Sequence, residues 1–374
     1  MSDNLNEINA AGRRSAMAMR VLCWLIRGRS RPMPPRILVG SSLALALLAC
    51  TSEPTFTEAG AGPSSSRVGA EAYAAVDLGT LGGANSTAYG INPAGEVVGE
   101  SATAGNQTHA FRWANGVMTD LGKLGGAFSR AFDINPAGQI VGSAALPNGD
   151  HHAFLWSSGV MTDLGTLGGV FSEAQAITPA GQIVGQSLTA AGARHAFLWT
   201  KGVLTDLGTL GGAETIAWGI SPAGKVVGQS QTAAGRTHAF LWVDGVMTDL
   251  GTLGRNTSQA FDINPAGRIV GFSSTASGTI HAFIWNRGVM TDLGTLGGIS
   301  AANGINPAGQ VVGVSQTLGA SHAILWQKGV LGVLPTISGE QIHGEAFDIN
   351  PSGEIVGRSS TPAGADHATL WTRK

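Results

Sequence analysis

Histidine recurs through this sequence at a nearly constant interval, and imidazoles repeated in this way could ligate a metal or act as acid–base groups. The dipeptide His-Ala begins at seven positions: His109, His152, His195, His238, His281, His322 and His367. A tryptophan stands four residues after each histidine, at Trp113, Trp156, Trp199, Trp242, Trp285, Trp326 and Trp371. The chemistry open to these side chains depends on the elements that carry them.

The histidines belong to a repeat of 43 residues. The triplet Asp-Leu-Gly begins at Asp77, Asp120, Asp163, Asp206, Asp249 and Asp292, each 43 residues after the one before. In the second copy, residues 131–135, 139–143, 152–156 and 160–164 have the residue types of short strands, with turn formers between them. No segment has the periodicity and capping residues of a helix, so the sequence predicts an all-β domain.

A repeat of about 40 to 45 residues with four strands has the size of one β-propeller blade. The chain enters the repeats at residues 73–78, which read as a fourth strand, and leaves at residues 367–371, which read as a third strand. The first strand would therefore complete the last blade and remove an exposed sheet edge. The sequence predicts a seven-bladed β-propeller of four-stranded antiparallel blades over residues 73–374, with a β-solenoid as the alternative.

The composition excludes some functions. Charged residues make up 12% of the 374 positions, against a usual share of about 25%. Lys and Arg total 22 and Asp and Glu 24, for a net charge of −2, which argues against nucleic-acid binding. Both cysteines, Cys23 and Cys50, precede residue 73. The repeat domain therefore cannot contain a disulfide, and packing must stabilise it.

The first 72 residues have the character of an export signal and a linker. An apolar run, Ile37–Ala49, follows three arginines and is too short to span a bilayer as a helix. It ends in Leu-Leu-Ala-Cys50, which resembles the lipobox of bacterial lipoproteins. We predict a signal peptide region over 1–49, lipidation at Cys50 and a flexible tether to residue 72; Met33 is a second candidate start. An ordinary signal peptide with an incidental cysteine is the alternative.

The motifs His-Ala-Phe, Asp-Leu-Gly-Thr-Leu-Gly-Gly and Ile-Asn-Pro-Ala-Gly resemble those of the HAF family of bacterial extracellular repeats. The resemblance covers residues 73–374. It implies a secreted or surface protein of repeated β-units and no particular reaction. With the lipobox, it leads us to expect a location in the cell envelope, as an outer-membrane lipoprotein, or outside the cell.

The repeated polar residues have a structural interpretation that competes with metal binding. Positions i, i+2 and i+4 of a strand share a face, so His, Phe and Trp point the same way. A serine of the second strand recurs at Ser101, Ser187, Ser230, Ser273, Ser315 and Ser359. With Asp, this set is similar to the buried polar network of WD40 propellers. Ligands of one metal must lie within about 2 Å of it, and equivalent positions around a ring point apart, so we predict no metal and no cofactor.

A fainter pattern suggests calcium. The segment from Asp133 to Gly138 resembles part of a calcium loop, and only Asp262 and Asp348 repeat its acid. A strand follows the segment at once, so we interpret Asn135 as the residue that caps a turn.

Binding is expected where the copies differ. Variable residues of the second-to-third and fourth-to-first connections would share one end of a propeller, where rigid folds often carry recognition loops. The candidates in the first set are Asn106, Asp150, His151, Arg194 and Arg236. Those in the second are Phe128, Arg130, Phe171, Glu173, Glu214, Arg255, Glu340, His343 and Glu345.

Three classes of function remain open. The leading hypothesis is a non-catalytic, lipid-anchored monomer that binds a protein or polysaccharide at this end. A lectin with one weak sugar site per blade is the second, although the aromatic rings of Phe128 and Phe171 have no counterpart in the other copies. A hydrolase or lyase would need an asymmetric site drawn from Asp150, His151 and residues 340–345.

Overall fold

The computed structural model describes residues 72–339 and 343–374. These residues form 28 β-strands and no helix, which confirms the predicted all-β class. Nothing in this part of the chain, accordingly, is a helix long and apolar enough to cross a membrane. The predictions for residues 1–71, including the signal peptide and Cys50, and for Glu340 lie outside the described residues.

The strands fall into seven successive units of four. The first strands are β2 (Gly82–Ile91), β6 (Ser129–Ile134), β10 (Gly168–Ile177), β14 (Gly211–Ile220), β18 (Gly254–Ile263), β22 (Ser300–Ile305) and β26 (Gly344–Ile349). The second strands are β3 (Val97–Thr103), β7 (Ile140–Ala145), β11 (Ile183–Thr189), β15 (Val226–Thr232), β19 (Ile269–Thr275), β23 (Val311–Thr317) and β27 (Ile355–Ser360).

The third strands carry the repeated histidines. They are β4 (Thr108–Ala114), β8 (His151–Ser157), β12 (Arg194–Thr200), β16 (Thr237–Val243), β20 (Ile280–Asn286), β24 (Ala320–Gln327) and β28 (Asp366–Arg373). The fourth strands are β5 (Val117–Asp120), β9 (Val160–Asp163), β13 (Val203–Asp206), β17 (Val246–Asp249), β21 (Val289–Asp292), β25 (Val330–Val333) and, for unit 7, β1 (Tyr73–Asp77).

Consecutive strands of a unit pair antiparallel, as β2, β3, β4 and β5 do in unit 1. The fourth strand of unit 7 comes from the start of the repeat domain, because β1 pairs antiparallel with β28 from Tyr73 opposite Arg373 to Asp77 opposite Thr369. Single parallel bridges also join neighbouring units, one of them between Phe171 and His151.

The turns follow from local side-chain chemistry. Asn92 ends β2, and its Oδ1 accepts the backbone N–H groups of Ala94 and Glu96, both at 3.0 Å. This is the predicted turn-capping role of the Asn-Pro-Ala-Gly segment. Between β4 and β5, Asn115 and Gly116 have φ values of 52° and 83°. Two consecutive positive φ angles define the turn type whose twist matches a tight hairpin, which is why glycine recurs there.

The hydrophobic core lies between units. It divides into seven clusters, each built from two adjacent units, and one of them joins unit 7 to unit 1 through Val356, Ala368 and Phe111. Each first strand contacts the first strand of the next unit, and β26 contacts β2. The phenylalanine of His-Ala-Phe is fully buried, and truncating such a ring costs about 3 to 5 kcal/mol.

Candidate functional site

Six of the seven repeated histidines pair with an aspartate of the fourth strand. Nδ1 of His109 lies 2.7 Å from Oδ2 of Asp120. The five other pairs, with N–O distances of 2.6 to 2.9 Å, are His152–Asp163, His195–Asp206, His238–Asp249, His281–Asp292 and His367–Asp77. In each pair the aspartate also holds the following turn, as Oδ1 of Asp77 does by accepting the N–H of Gly79 at 2.8 Å.

The pairs are only partly buried, unlike the fully buried network to which the sequence is similar. The histidine side chains are 12–23% exposed and the aspartates 37–41%. The cause is position: the aspartate lies at the end of the fourth strand, which is the outer edge of each sheet and meets solvent. Partly exposed polar pairs of this kind contribute only about 0 to 1 kcal/mol each. In the described ranges, no group of three His, Cys, Asp or Glu residues is placed to hold a metal ion.

The seventh histidine has a different partner. Unit 6 carries Val333 where the other units carry aspartate, and Nε2 of His322 instead lies 2.9 Å from Oγ1 of Thr317. Burial lowers the pKa of His322, and the charge of nearby His343 lowers it further. This unit is therefore a natural variant of the repeat that lacks the ion pair.

The tryptophans and serines make contacts that are separate from the histidine pairs. Trp113 packs against the cluster that contains Phe111, and the equivalent tryptophans of units 2 to 6 pack likewise. Trp371 is fully buried and donates its Nε1–H to the carbonyl oxygen of Pro335 at 2.6 Å. Oγ of Ser101 accepts the N–H of Leu81 at 2.8 Å. The serines therefore fix the connection that leads from the preceding unit into their own.

A second series of hydroxyl groups joins neighbouring units. Oγ of Ser129 accepts the N–H of Ala110, in the preceding unit, at 2.9 Å and donates to the carbonyl oxygen of Gly122 at 2.6 Å. The hydroxyls that donate in the same way are Ser86, Ser172, Thr215, Ser258 and Ser300. The sequence interpretation missed this series, although its constant spacing was a usable signal.

The units differ most at three positions on their first and second strands, which in unit 1 are Thr87, Tyr89 and Glu100. The equivalents are Arg130, Phe132 and Ser143; Glu173, Gln175 and Gln186; Ile216, Trp218 and Gln229; Gln259, Phe261 and Phe272; Ala301, Asn303 and Val314; and Glu345, Phe347 and Arg358. Sequence reasoning sought variation in the loops; it named Arg130, Glu173 and Glu345 but missed the other residues at these positions. An alignment of the seven copies could have found them.

These divergent side chains form networks across unit boundaries. Oε2 of Glu100 accepts a hydrogen bond from Nε of Arg130 at 2.6 Å, and its Oε1 accepts the hydroxyl of Tyr89 at 2.7 Å. The Tyr89 ring centroid lies 5.4 Å from that of Phe132 in unit 2 and 5.2 Å from that of Phe347 in unit 7. Burial raises the pKa of Tyr89, and the charge of Glu100 raises it further. The contacts of these first- and second-strand side chains therefore differ from one unit to the next.

Four planar side chains of units 2 and 3 follow one another beside this network: Phe128, His151, Phe171 and Arg194, hereafter the planar cluster. The ring centroids of Phe128 and His151 are 5.2 Å apart, and His151 lies opposite Phe171 in a parallel bridge. Cζ of Arg194 lies 5.7 Å from the Phe171 ring centroid. All four side chains are partly exposed. Cζ of Arg130 lies 5.3 Å from the Phe128 ring centroid, so the Arg130–Glu100 ion pair contacts the cluster.

The other candidates are dispersed. Asn106, Asp150 and Arg236 lie in connections between second and third strands, as predicted. The same prediction is wrong for His151 and Arg194, because the third strands β8 and β12 begin at these two residues. The prediction that all of the second set lie in loops is wrong, because the first strands begin earlier than expected and include Arg130, Phe171, Glu173, Glu214, Arg255 and Glu345. His343 makes an isolated bridge with Ser321.

Two of these acids are buried. Oε1 of Glu173 accepts the side-chain amide of Gln186 at 3.0 Å, and Oε2 of Glu345 pairs with Arg358 at 3.0 Å. The acids and imidazoles considered for a hydrolase belong to units 2 and 7, and units 3 to 6 lie between these two units in the sequence.

Three aspartates of the first strands link one unit to the next. Oδ2 of Asp133 accepts the N–H of Ile177 at 2.8 Å, and Oδ2 of Asp262 accepts that of Ile305 at 2.8 Å. Asp348 accepts the N–H of Ile91 at 3.0 Å, from unit 7 to unit 1. Burial, together with the charge of Asp348, raises the pKa of Asp133 and of Asp262 to about 7.

Comparison with solved structures shows similarity to β-propeller proteins. The β-propeller domain of the trilobed protease from Pyrococcus furiosus is 12% identical, with 77% of this chain and 94% of that chain covered and a TM-score of 0.52. A puromycin-hydrolysing peptidase from Mycobacterium tuberculosis is 12% identical, with 78% and 51% covered and a TM-score of 0.54. An acylaminoacyl peptidase from Pyrococcus horikoshii is 13% identical, with 79% and 52% covered and a TM-score of 0.50.

At these identities the similarity shows the fold alone, which is that of a β-propeller protein made of antiparallel sheets. The chain spans about half of the length of the two peptidases. Neither a protein-family model nor a curated protein matches the sequence.

Proposed function

We propose that the chain is a non-catalytic binding module that recognises a protein or polymer at the end carrying its second-to-third and fourth-to-first strand connections. One observation carries this proposal. Most positions of the repeat are nearly constant, yet the planar cluster of units 2 and 3 is partly exposed at this end and occurs in no other unit. An aromatic and cationic group of this kind is typical of binding sites. Asn106 of unit 1, Glu214 and Arg236 of unit 4 and Arg255 of unit 5 remain further candidate contacts.

The proposal includes a seven-bladed propeller whose last blade is completed by β1. The pairing of β1 with β28 supports it, as do the contact of β26 with β2 and the hydrogen bond from Ile91 to Asp348. A closed ring has no exposed sheet edge and holds its loops on a rigid frame.

We further propose, on the sequence alone, that the protein belongs with the HAF repeats and is held in the cell envelope by acyl chains on Cys50. The apolar run that ends at this cysteine supports the anchor. Residues 51–72 would then separate the repeat domain from the membrane surface.

The test blocks one end at a time. Residues 51–374 contain no cysteine, so a single introduced cysteine can carry a bulky maleimide polymer. Ala191→Cys places it in the second-to-third connection of unit 3, and Ala180→Cys places it in the turn at the opposite end of the same unit; both residues are exposed. Each labelled protein is applied to an array of glycans and envelope polymers. We expect binding to be lost only with the label at 191. Loss with both labels, or only with the label at 180, would contradict the proposal.

A further inference from the structure

We propose that the planar cluster is a single site for an acidic oligosaccharide, a short chain of sugar rings that bear carboxylates. This inference rests on the proposed function, because it assigns a ligand to the same end of the domain. It differs from a lectin with one site per repeat, since it combines side chains of units 2 and 3, which a backbone bridge between His151 and Phe171 brings side by side.

The geometry provides a row of planar surfaces. Phe128 and His151 lie in unit 2, and the planes of their rings are tilted by 44° to each other. Phe171 lies on the first strand of unit 3, opposite His151. A sugar ring has one face of C–H groups and an edge of hydroxyl groups. Aromatic faces bind the first, and nitrogen-bearing side chains bind the second. Two phenyl rings separated by an imidazole therefore suit more than one sugar of a chain.

Phe128 packs against the guanidinium of Arg130, whose charge is already neutralised by Glu100. Nε of Arg130 is engaged by Glu100 at 2.6 Å, while its guanidinium lies against the Phe128 ring. Arg130 is therefore a positioning residue, because its charge faces a carboxylate within the protein. Within the described residues, Arg194 is not paired with a carboxylate in this way, so it is the cation that would bind the ligand.

Arg194 determines the acidic character of the ligand. Its guanidinium lies against Phe171, and Nη1 donates to Oε1 of Gln186 at a long 3.3 Å. Within the described part of the chain, the Arg194 side chain makes this one hydrogen bond and no ion pair. A planar guanidinium binds a carboxylate through two parallel N–H bonds. Asp150, in the connection before His151, accepts a hydrogen bond from the Asn148 side chain at 2.8 Å. Oε1 of Glu173 accepts hydrogen bonds from the side-chain amides of Gln175 and Gln186.

A sugar chain fits these observations better than a protein surface or a nucleic acid. Protein interfaces place fully buried apolar anchors at their centre, whereas here each ring adjoins a polar nitrogen. Nucleic acids require a basic surface, and the chain has a net charge of −2. Binding of protein or nucleic acid at this cluster is an outcome that would overturn the inference.

The experiment uses residues 51–374 and isothermal titration. The probes are oligomers of polygalacturonate and of alginate, each compared with the same oligomer after reduction of its carboxyl groups. We expect at least one acidic oligomer to bind, and its reduced form to bind at least tenfold more weakly. Raising the salt concentration should weaken the binding of the acidic oligomer and leave that of the reduced oligomer unchanged.

Two variants divide the site into its parts. Arg194→Gln should remove the tenfold preference for the acidic oligomer and leave the affinity for the reduced oligomer unchanged, because stacking remains. Phe171→Ala should lower the affinity for both the acidic and the reduced oligomer at least tenfold. The matched control is Ile280→Gln, which changes the same first residue of the third strand in unit 5, and it should change neither affinity. Melting curves establish that each variant is folded.

The possible failures are distinguishable. If no acidic oligomer binds, if reduced and acidic forms bind equally, or if Ile280→Gln acts like Arg194→Gln, the inference is wrong. The proposed function would survive such a result if another polymer or protein bound and was displaced by the label at Ala191 but not by that at Ala180. It would fail with the inference if neither label affected any ligand.

Discussion

Replacing Asp262 by asparagine should change how the stability of the domain depends on pH. The carboxylate of Asp262 accepts the N–H of Ile305 in the next unit and the N–H of Ile263 in its own. Burial and the charge of Asp348 raise the pKa of Asp262 in the folded protein to about 7. An unfolded chain would have the ordinary pKa of about 3.9.

The sign and size of the effect follow from these two pKa values. The folded protein binds more protons than the unfolded chain between about pH 4 and pH 7, so stability falls as the pH rises through this range. At 1.36 kcal/mol per unit, Asp262 alone lowers the free energy of unfolding by about 3 kcal/mol between pH 5 and pH 8. The amide of the Asp262→Asn variant has no proton to lose, but it forfeits one accepted hydrogen bond, at a cost of about 1 kcal/mol.

Urea unfolding of residues 51–374 at pH 5, 6, 7 and 8 measures both the pH dependence of the free energy of unfolding and the cost of the lost hydrogen bond. Asp262→Asn should be less stable than the parent at pH 5 and at least as stable at pH 8, with a shallower pH dependence. Asp150→Asn, which removes an acid from a connecting loop, should leave the slope unchanged. Curves for Asp262→Asn and the parent that run parallel from pH 5 to pH 8 would refute the reasoning.

Three other predictions follow from the anchor, the last sheet and the histidine pairs. Cys50→Ser should leave the protein exported but move it from the detergent phase to the aqueous phase, and unchanged partitioning would exclude lipidation at this residue. Deleting 73–79 removes β1 and the buried Tyr73 and should lower the melting temperature by about 10 °C, whereas deleting 51–70 should not; equal melting temperatures would favour an open solenoid. His195→Ala should cost about 0.5 to 1 kcal/mol with or without chelator, because the pair with Asp206 is partly exposed. His322→Ala, which breaks no ion pair, is its control, and bound metal that is lost in the His195 variant would restore the metal hypothesis.

The strand order of the domain was predictable because the repeat is almost perfect. Four strands per copy, the turn made by Asn92, and the assignment of residues 73–77 to the last sheet all follow from local residue types and from the phase of the repeat at its two ends. The alternation of side chains within one copy was sufficient for the strands and turns, since these depend on contacts within about 40 residues. The pairing of β1 with β28 joins the two ends of the domain, and the phase of the repeat was needed to predict it.

The candidate site was only partly predictable. Phe128, His151, Phe171 and Arg194 were identified as exceptions to the repeat, but their contiguity depends on which strands of neighbouring units lie side by side. His151 and Phe171 meet through a parallel bridge between units, and no pattern within one copy indicates it. The exposure of the His–Asp pairs was misjudged because residue type does not reveal that the fourth strand is a sheet edge.

Near-identity among the units creates a difficulty during folding, because a folded unit can dock on the wrong neighbour and trap the chain in a misassembled state. The His–Asp pairs and the hydroxyl groups between units do not discriminate, since they are almost the same everywhere. Some divergent contacts do: Arg130 of unit 2 requires Glu100 of unit 1, and Glu173 of unit 3 receives a hydrogen bond from Ser143 of unit 2 at 3.3 Å. Each of these contacts can form only between one particular pair of units. A permuted order of units would leave the charged groups without their partners, which would make it less stable than the native order.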